Sequence, residues 1–326
     1  LIAACDAANR LAAALGGGAA ACLAASALVE ADALGLPQFG IAMLDEWTAD
    51  AVPPPEASEP PALQWLDRSC CFAPLAVAAA TLDVADAARR QGVAVTFLRG
   101  VKGFGRLAPF VRHIADQGLL GIAGAEGPPF VAPFGGDRAA IGTNPLAFAL
   151  GQGADRVVID VASSTATMAD IRAARASATP LPDGTALDSR GHPTNVAADV
   201  AALLPRGGQI GSLLGLTVEL MAGVAGGGRG DPRGRGVFVL ALDPGKADAD
   251  IDWRAKLADL KNDWTQSGGH WPRGGAAGDA DLDDAFQQRL DAHLARIRGV
   301  ACKAERDDVF HRRLDAYLAR VCGQCA

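Results

Sequence analysis

The stretch Pro133-Phe-Gly-Gly-Asp-Arg-Ala-Ala-Ile-Gly-Thr-Asn-Pro-Leu-Ala-Phe-Ala-Leu150 constrains this chain more than any other part of it. It reads as a tight glycine turn, a second turn at Gly142-Thr-Asn-Pro145, and then an apolar run. Gly135 and Gly136 permit positive φ and close approach of a ligand to the backbone. Asn144 precedes a proline, which pushes it towards an extended conformation and stops a helix there. Such a turn exposes backbone N–H groups beside Thr143 and Asn144. That suits a phosphate or a sugar, and it equally suits a purely structural loop.

Composition narrows what can surround this turn. The chain has 326 residues, enough for one large or two ordinary domains, and it is 50% hydrophobic and 21% charged, as in a folded globular protein. Its net charge of −7 argues against nucleic acid as a partner, because a phosphate backbone needs clustered Lys and Arg. No uninterrupted apolar run reaches membrane-spanning length, so no membrane partner is expected. Asp6 and Arg10 interrupt the alanine-rich start and no basic n-region precedes it, so no signal peptide is expected. The 7 cysteines are scattered and odd in number, which fits a reducing cytoplasm better than a disulfide framework. Cys322-Gly-Gln-Cys325 is a C-x-x-C without a second pair at zinc spacing. Cys302 and His311 could complete a ligand set, but a frayed terminus is the simpler reading, and no metal is expected.

Along the chain, residues 1–34 read as helix with a break at Gly16-Gly-Gly18. The prolines of residues 48–62 form a stiff connector. Thr81–Gln91 has helical periodicity, Val93–Leu98 is a buried-strand run, Phe110–Gln117 is helical, and Leu119–Ala123 is a further strand. Strand and helix are expected to alternate to about residue 243. Gly226–Gly236 looks too glycine-rich to pack and is expected to be a mobile loop, with its Arg-Gly-Asp tripeptide accidental. Helix returns after Asp250. There Asp283–Arg296 is repeated by Asp307–Arg320, and each copy starts with two carboxylates and ends with Arg, matching the helix dipole. Phe286, Leu290 and Leu294 fall on one face of the first copy. A duplicated terminal helix covering a dimer surface is the simplest account.

Further segments line up with the turn. Val157-Val-Ile-Asp-Val-Ala-Ser-Ser164, Leu181-Pro-Asp-Gly-Thr-Ala-Leu-Asp-Ser-Arg-Gly-His-Pro-Thr194, Leu204-Pro-Arg-Gly-Gly-Gln-Ile-Gly211 and Gly236-Val-Phe-Val-Leu-Ala-Leu-Asp-Pro244 follow in order. Together with Pro133–Leu150 they resemble the malate/L-lactate dehydrogenase type 2 family of NAD(P)-dependent oxidoreductases, over about residues 25–298. The resemblance implies an α/β (α+β) fold that is not a Rossmann fold. A discontinuous helical domain is drawn from both termini, with a mixed α/β cofactor domain inserted. The expected parts are 1–75 (N-terminal helical), 76–245 (cofactor-binding) and 246–326 (C-terminal helical). It further implies a homodimer with its active site near the subunit boundary, a small-molecule substrate, and NAD or NADP as cofactor. Gly100-Val-Lys-Gly-Phe-Gly105 does follow a strand, but its glycine spacing is reversed from the Rossmann fingerprint and no acidic strand residue follows at the right distance.

Hydride exchange between a nicotinamide and a 2-hydroxy acid needs a proton shuttle, a cation for the substrate carboxylate, and a site that fixes the ring. The family supplies a Ser-His-Gly turn with an Arg three residues after the His; here Phe39 and Met43 stand at those two positions. Its His-Phe-Gly motif matches Gly103-Phe104-Gly105, and its Gly-x-Lys-Gly matches Gly208-Gln-Ile-Gly211, which puts Ile210 in place of Lys. Three explanations compete. Other groups take over the proton, with Asp160, Lys102 and His192 the candidates. Alternatively, the substrate is a protonated cyclic imino acid, which already carries its proton. In the third, the chain is a catalytically silent dinucleotide-binding paralogue. Lys102 and His192 equally read as solvated loop residues, and Asp160 as a cap for a helix starting near Thr167. By resemblance, the cofactor would touch Gly127 through its backbone, together with Thr143, Asn144, Pro145, Asp160, Ala162, Ser163 and Gly211.

Overall fold

The computed structural model describes residues 1–46, 59–246, 251–274 and 280–306. Most of the proline-rich connector, the second repeat copy, and the side chains of Cys302, His311, Cys322 and Cys325 lie outside the described residues. Helices α1 (Ala4–Ala14) and α2 (Gly18–Ala33) flank the glycine break expected there. The C-terminal helix α8 (Asp284–Arg306; intervening elements are given below) returns to them. It buries Phe286, Leu290 and Leu294 in the same core as Leu11 and Leu28. Asp281–Leu282 pairs antiparallel with Ile2–Ala3, so the two ends of the described chain are stitched together.

Between them lies a sheet with strands β1 (Leu63–Asp67), β2 (Val93–Val101), β3 (Leu120–Ala125), β4 (Leu146–Leu150), β5 (Val157–Val161) and β6 (Arg235–Leu242). Their spatial order is β1-β2-β6-β3-β4-β5. Only β1 and β2 run parallel in this sheet, in the register Leu63↔Val95; every other neighbouring pair is antiparallel. Helix α3 (Ala73–Gln91) begins earlier than its periodicity suggested, with Pro74 in the first turn, where its missing N–H costs nothing. The boundary expected after residue 75 therefore falls inside that first turn, and the one after 245 falls within the short turn Pro244–Lys246.

The expected alternation of strand and helix holds only as far as β3, with α4 (Ala108–Ala115) in between. From there β3, β4 and β5 pair as antiparallel neighbours, which removes the βαβ crossovers on which a Rossmann sheet depends. Helices α3 and α4 cover one face through Leu98, Ala123, Val237 and Val239. On the other face Phe97 and Phe238 pack against Ala222. Ala222 lies in a π-helical segment, Glu219–Ala225, that continues helix α6 (Gln209–Val218). A satellite core of Val131, Ile141, Ile171 and Leu203 joins helix α5 (Met168–Ser177) to the short strands Ala186–Leu187, Pro193–Thr194 and Ala202–Leu203. Helix α7 (Trp253–Gln266) is amphipathic and buries Leu257.

The glycine-rich segment 226–236 is packed at Gly226, Gly228, Gly234 and Gly236, contrary to expectation, and largely exposed between them. A Cβ at Gly228 would run into the backbone of Gly236, and one at Gly234 into that of Gly100. Glycine serves close approach at these positions, and a positive φ in open space at Gly227 and Gly230. Within the Arg-Gly-Asp tripeptide, Asp231 pairs with Arg233, which also reaches Asp67 at 2.6 Å. The Arg233 guanidinium holds the Asp231 carboxyl down at about 2.

Candidate active site

A cavity of about 280 Å³ opens where five pieces of chain converge. The walls are Leu36 and Phe39, the loop Phe104–Leu107, Thr143 and Pro145 from the second turn, Asp160 and Ala162 at the end of β5, and Thr167–Ala169 with Arg172 on α5. The lining is mostly apolar, with one carboxyl and two guanidinium groups among the described residues.

The turn at Thr143–Pro145 is fixed from behind. Asn144 is fully buried and adopts φ +35°, not the extended conformation that the following proline suggested. Its side chain repays that backbone. Oδ1 accepts the Gly127 amide at 3.0 Å, while Nδ2 donates to the Gly215 carbonyl and to Glu219 Oε2, both at 2.9 Å. Glu219 is held in turn by Arg229. A Cβ on Gly142 would sit 2.5 Å from the Gly127 Cα, so the two backbones touch. Ser163 is buried too, donating from Oγ to the Thr143 carbonyl at 2.9 Å and from its amide to the same oxygen at 3.0 Å. Asn144, Gly127 and Ser163 therefore spend these polar groups on building the turn, and none of the three is among the residues lining the cavity. Gly211, on α6, packs its backbone against the Arg206 and Ser163 carbonyls, outside the cavity lining.

Asp160 does line the cavity. Its Oδ2 accepts the backbone N–H of Ala108 at 2.9 Å, so it caps α4. The helix near Thr167 needs no help from it: Thr167 and Asp170 form a reciprocal capping box on α5. Burial pushes the Asp160 carboxyl above its usual range; the Ala108 amide, the Arg106 charge and the Leu107 amide oppose this. Lys102 is exposed in the loop after β2, outside the lining. His192 lies in an exposed turn whose amide is held by Asp188 Oδ1 at 2.9 Å, and it too is outside the lining. Neither is brought to the cavity by this chain.

Of the altered family positions, Phe39 lines the cavity. Met43 lies just behind, its Sδ 3.4 Å from where a Gly105 Cβ would be. Gly103 is exposed, and Ile210 projects outward at 78% exposure. The loop carrying Phe39 rests on Asp32, whose side chain is 3% exposed, accepts the Ile41 amide at 2.7 Å and meets Arg289 at 3.3 Å.

Sequence reading missed the two arginines. Arg106 reaches Glu30 at 3.0 Å, and Arg112 grips the same carboxylate with two contacts. The signal available was Glu30 itself, a carboxylate on the largely apolar α2, and Arg106 directly after Gly-Phe-Gly. Arg172 has no hydrogen-bond or ion-pair partner among the described residues. No cluster of metal-ligating side chains occurs among the described residues, and no described helix is long and apolar enough to cross a membrane.

Known proteins share this fold. A reductase of Delta(1)-pyrroline-2-carboxylate and Delta(1)-piperideine-2-carboxylate from Pseudomonas syringae pv. tomato is 38% identical over 161 residues, 48% of this chain and 47% of that protein. A (2R)-3-sulfolactate dehydrogenase (NADP(+)) from Chromohalobacter salexigens is 36% identical over 172 residues, 48% of this chain and 52% of that one. The matched segments thus span about half the length of these relatives. The crystal structure of a delta1-piperideine-2-carboxylate reductase from Pseudomonas syringae pv. tomato superimposes with a TM-score of 0.68 at 26% identity, covering 90% of this chain and 97% of that one. The sequence profile of the malate/L-lactate dehydrogenase family matches residues 7–270, and the chain belongs to that family.

Proposed function

We propose that this chain is an NAD(P)H-dependent reductase whose substrate is a small cyclic 2-imino acid, within the wider class of oxidoreductases acting on 2-hydroxy and 2-oxo acids. One observation carries the reading. The cavity holds a carboxyl and two arginines, and neither histidine nor lysine lines it among the described residues. Reducing a 2-oxo acid requires a proton delivered to oxygen as hydride reaches carbon. A protonated cyclic imine needs hydride alone, because its nitrogen already bears the proton and keeps the electron pair released from the C=N bond.

The residues present fit the reacting end of a nicotinamide cofactor. About 280 Å³ accommodates a nicotinamide ring beside a small acid, and the rest of a dinucleotide would lie outside the cavity. Thr143, Pro145 and Ala162 form the small-residue wall against which the ring would rest, with Asp160 beside them. A bound nicotinamide would supply the hydride. Asp160, in its ionised form, would face the cationic imine across a largely apolar space, where opposite charges attract more strongly than in bulk water. Phe39, Phe104 and Leu107 give the cavity an apolar wall. Arg106 and Arg172 supply the positive charge that a carboxylate needs.

A silent dinucleotide-binding protein is the second reading, favoured by the loss of basic side chains at Phe39, Met43, Gly103 and Ile210. Titrating the protein with NADH and NADPH by fluorescence, then following absorbance with Delta(1)-piperideine-2-carboxylate, pyruvate and oxaloacetate, separates the two. Binding with turnover of the imine supports reduction, and binding without turnover supports the silent protein. No binding of either nucleotide sinks both.

A homodimer belongs to the same proposal. Ile210, Leu213, Leu220 and Val224 make an exposed apolar stripe along α6 and its π-helical continuation, each more than half exposed. A second copy would cover it, and light scattering on the purified protein reads this directly. A reducing compartment such as the cytoplasm suits Cys5, Cys22, Cys70 and Cys71, all of them free thiols.

A further inference from the structure

The arginine pair on Glu30 is unbalanced. Arg112 already satisfies Glu30 with two contacts, one of them at 3.2 Å, yet Arg106 joins the same carboxylate at 3.0 Å. All three side chains are largely shielded, at 14%, 15% and 10% exposure for Arg106, Arg112 and Glu30. Two guanidinium groups share one carboxylate, and the Asp160 carboxyl lies close enough to feel the Arg106 charge. Arg106 is thus held by Glu30 without being saturated by it, and it can take a further anion.

The remaining donors of Arg106 show where that anion would come from. A guanidinium has five N–H groups in a planar fork, and one nitrogen of Arg106 is engaged by Glu30. The others have no protein partner, and none is sealed from solvent: among the described residues Arg68 Nε is the buried side-chain nitrogen left without a partner. Arg106 lines the cavity beside Asp160 and opposite no other carboxyl. Arg172 also lines it, but no ion pair holds its side chain, so binding there would have to order a free, flexible arm.

We propose that Arg106, held in place by Glu30, is the residue that receives the substrate carboxylate, taking the task for which Met43 has no charge. This rests on the reading of the cavity as a site for a small 2-imino or 2-oxo acid. A planar fork fixed by a second-layer carboxylate orients an acid bidentately and points its C2 in one direction, which a free point charge does not do. Glu30 is a positioning residue, since it touches Arg106 and not the cavity.

The test compares pyrrole-2-carboxylate with its neutral carboxamide, two unreactive planar probes that differ in charge. Binding is measured by calorimetry in the presence and absence of NADPH. The parent protein should prefer the carboxylate, and Arg106→Gln should erase the preference by weakening the carboxylate about a hundredfold while leaving the carboxamide unchanged. Arg106→Lys, which keeps the charge and loses the fork, should recover part of the loss. Glu30 remains paired with Arg112 in both variants, and thermal melts check that they fold. A preference that survives Arg106→Gln, or that vanishes in Arg172→Gln instead, overturns the assignment, as does a parent protein indifferent to charge. NADPH binding, read separately by fluorescence, reports on the oxidoreductase reading itself, so the two can fail independently.

Discussion

Asp160 Oδ2 accepts the amide of Ala108 at 2.9 Å, across 52 residues of sequence, and so ties the end of β5 to the first turn of α4. The bond does two things. It keeps the carboxyl at the cavity wall, and it brings the loop Phe104–Leu107, with Arg106, against the same wall. A helix N-terminus favours the ionised carboxylate while burial disfavours it, and burial wins.

Asp160→Asn separates function from stability. The amide oxygen of Asn still accepts the Ala108 N–H, and the buried charge is gone. The folded carboxyl lies above its unfolded value, so its stabilising contribution is full below the ordinary carboxylate range and is lost as pH rises through the raised value. At pH 7 the variant should therefore melt at the same temperature as the parent or higher. Imine turnover should fall about a hundredfold, because the anion facing the iminium has been removed. The parent's kcat/KM should also decline on the acid side at a pH above that of a free aspartate, and the variant should lack that limb.

Asn144 predicts a different outcome, loss of the fold's precision first. Asn144→Ala would leave the Gly127 amide and Glu219 short of partners inside the protein and put alanine at a positive φ. The cost should be about 2–4 kcal/mol in urea unfolding. Nucleotide binding should weaken as a consequence of the disordered turn. A variant with parental stability and weakened binding would instead restore Asn144 as a direct contact.

Asp32 carries the Phe39 loop, and a Cβ at Gly40 would collide with its carboxylate. Asp32→Ala frees the Ile41 amide and opens a gap beneath the turn. We expect a loss of about 1–3 kcal/mol and a several-fold rise in KM with kcat little changed, because the loop contributes a wall and not a reacting group. Steady-state kinetics on the imine alongside thermal melts would show this.

How much of this was legible in the sequence depended on the range of the forces involved. The glycine break before α2, strand β2 and helix α4 follow from periodicity and turn chemistry, which are local. Sheet order is not local: β6 arrives from more than a hundred residues downstream to sit between β2 and β3, and nothing in its own sequence says so. Asn144 escaped for a related reason. The rule for a residue before proline was outweighed by three hydrogen bonds, two of them buried, to partners 17 to 75 residues away. In segment 226–236, glycine content alone could not distinguish a free loop from backbones in contact. Arg106 and Glu30 lie 76 residues apart, and only the fold makes them neighbours. That Phe39, Thr143, Pro145, Asp160 and Ala162 would come near one another was legible because motif positions carry over residue by residue, whereas Arg106 and Arg172 of the same lining lie outside the matched motifs.

Reinstating the lost residues tests whether the cavity was emptied of a proton donor. Phe39 lines the cavity and Met43 packs just behind it, against Gly105. A histidine at 39 would place a titratable ring where hydride reduction of a ketone needs a proton, and an arginine at 43 would support its orientation and the acid's charge. The double variant Phe39→His/Met43→Arg should therefore turn over pyruvate or oxaloacetate at least tenfold faster than the parent, consistent with the roughly 10²–10⁴-fold value of a positioned acid. Its imine turnover should change little, since that reaction draws no proton from the protein. The rate gain should fade above the pKa of the new imidazole, where the donor is lost. Equal gains on both substrates would mean that the substitutions reshaped the cavity, and an unchanged keto-acid rate would count against the missing donor as the reason for its substrate preference.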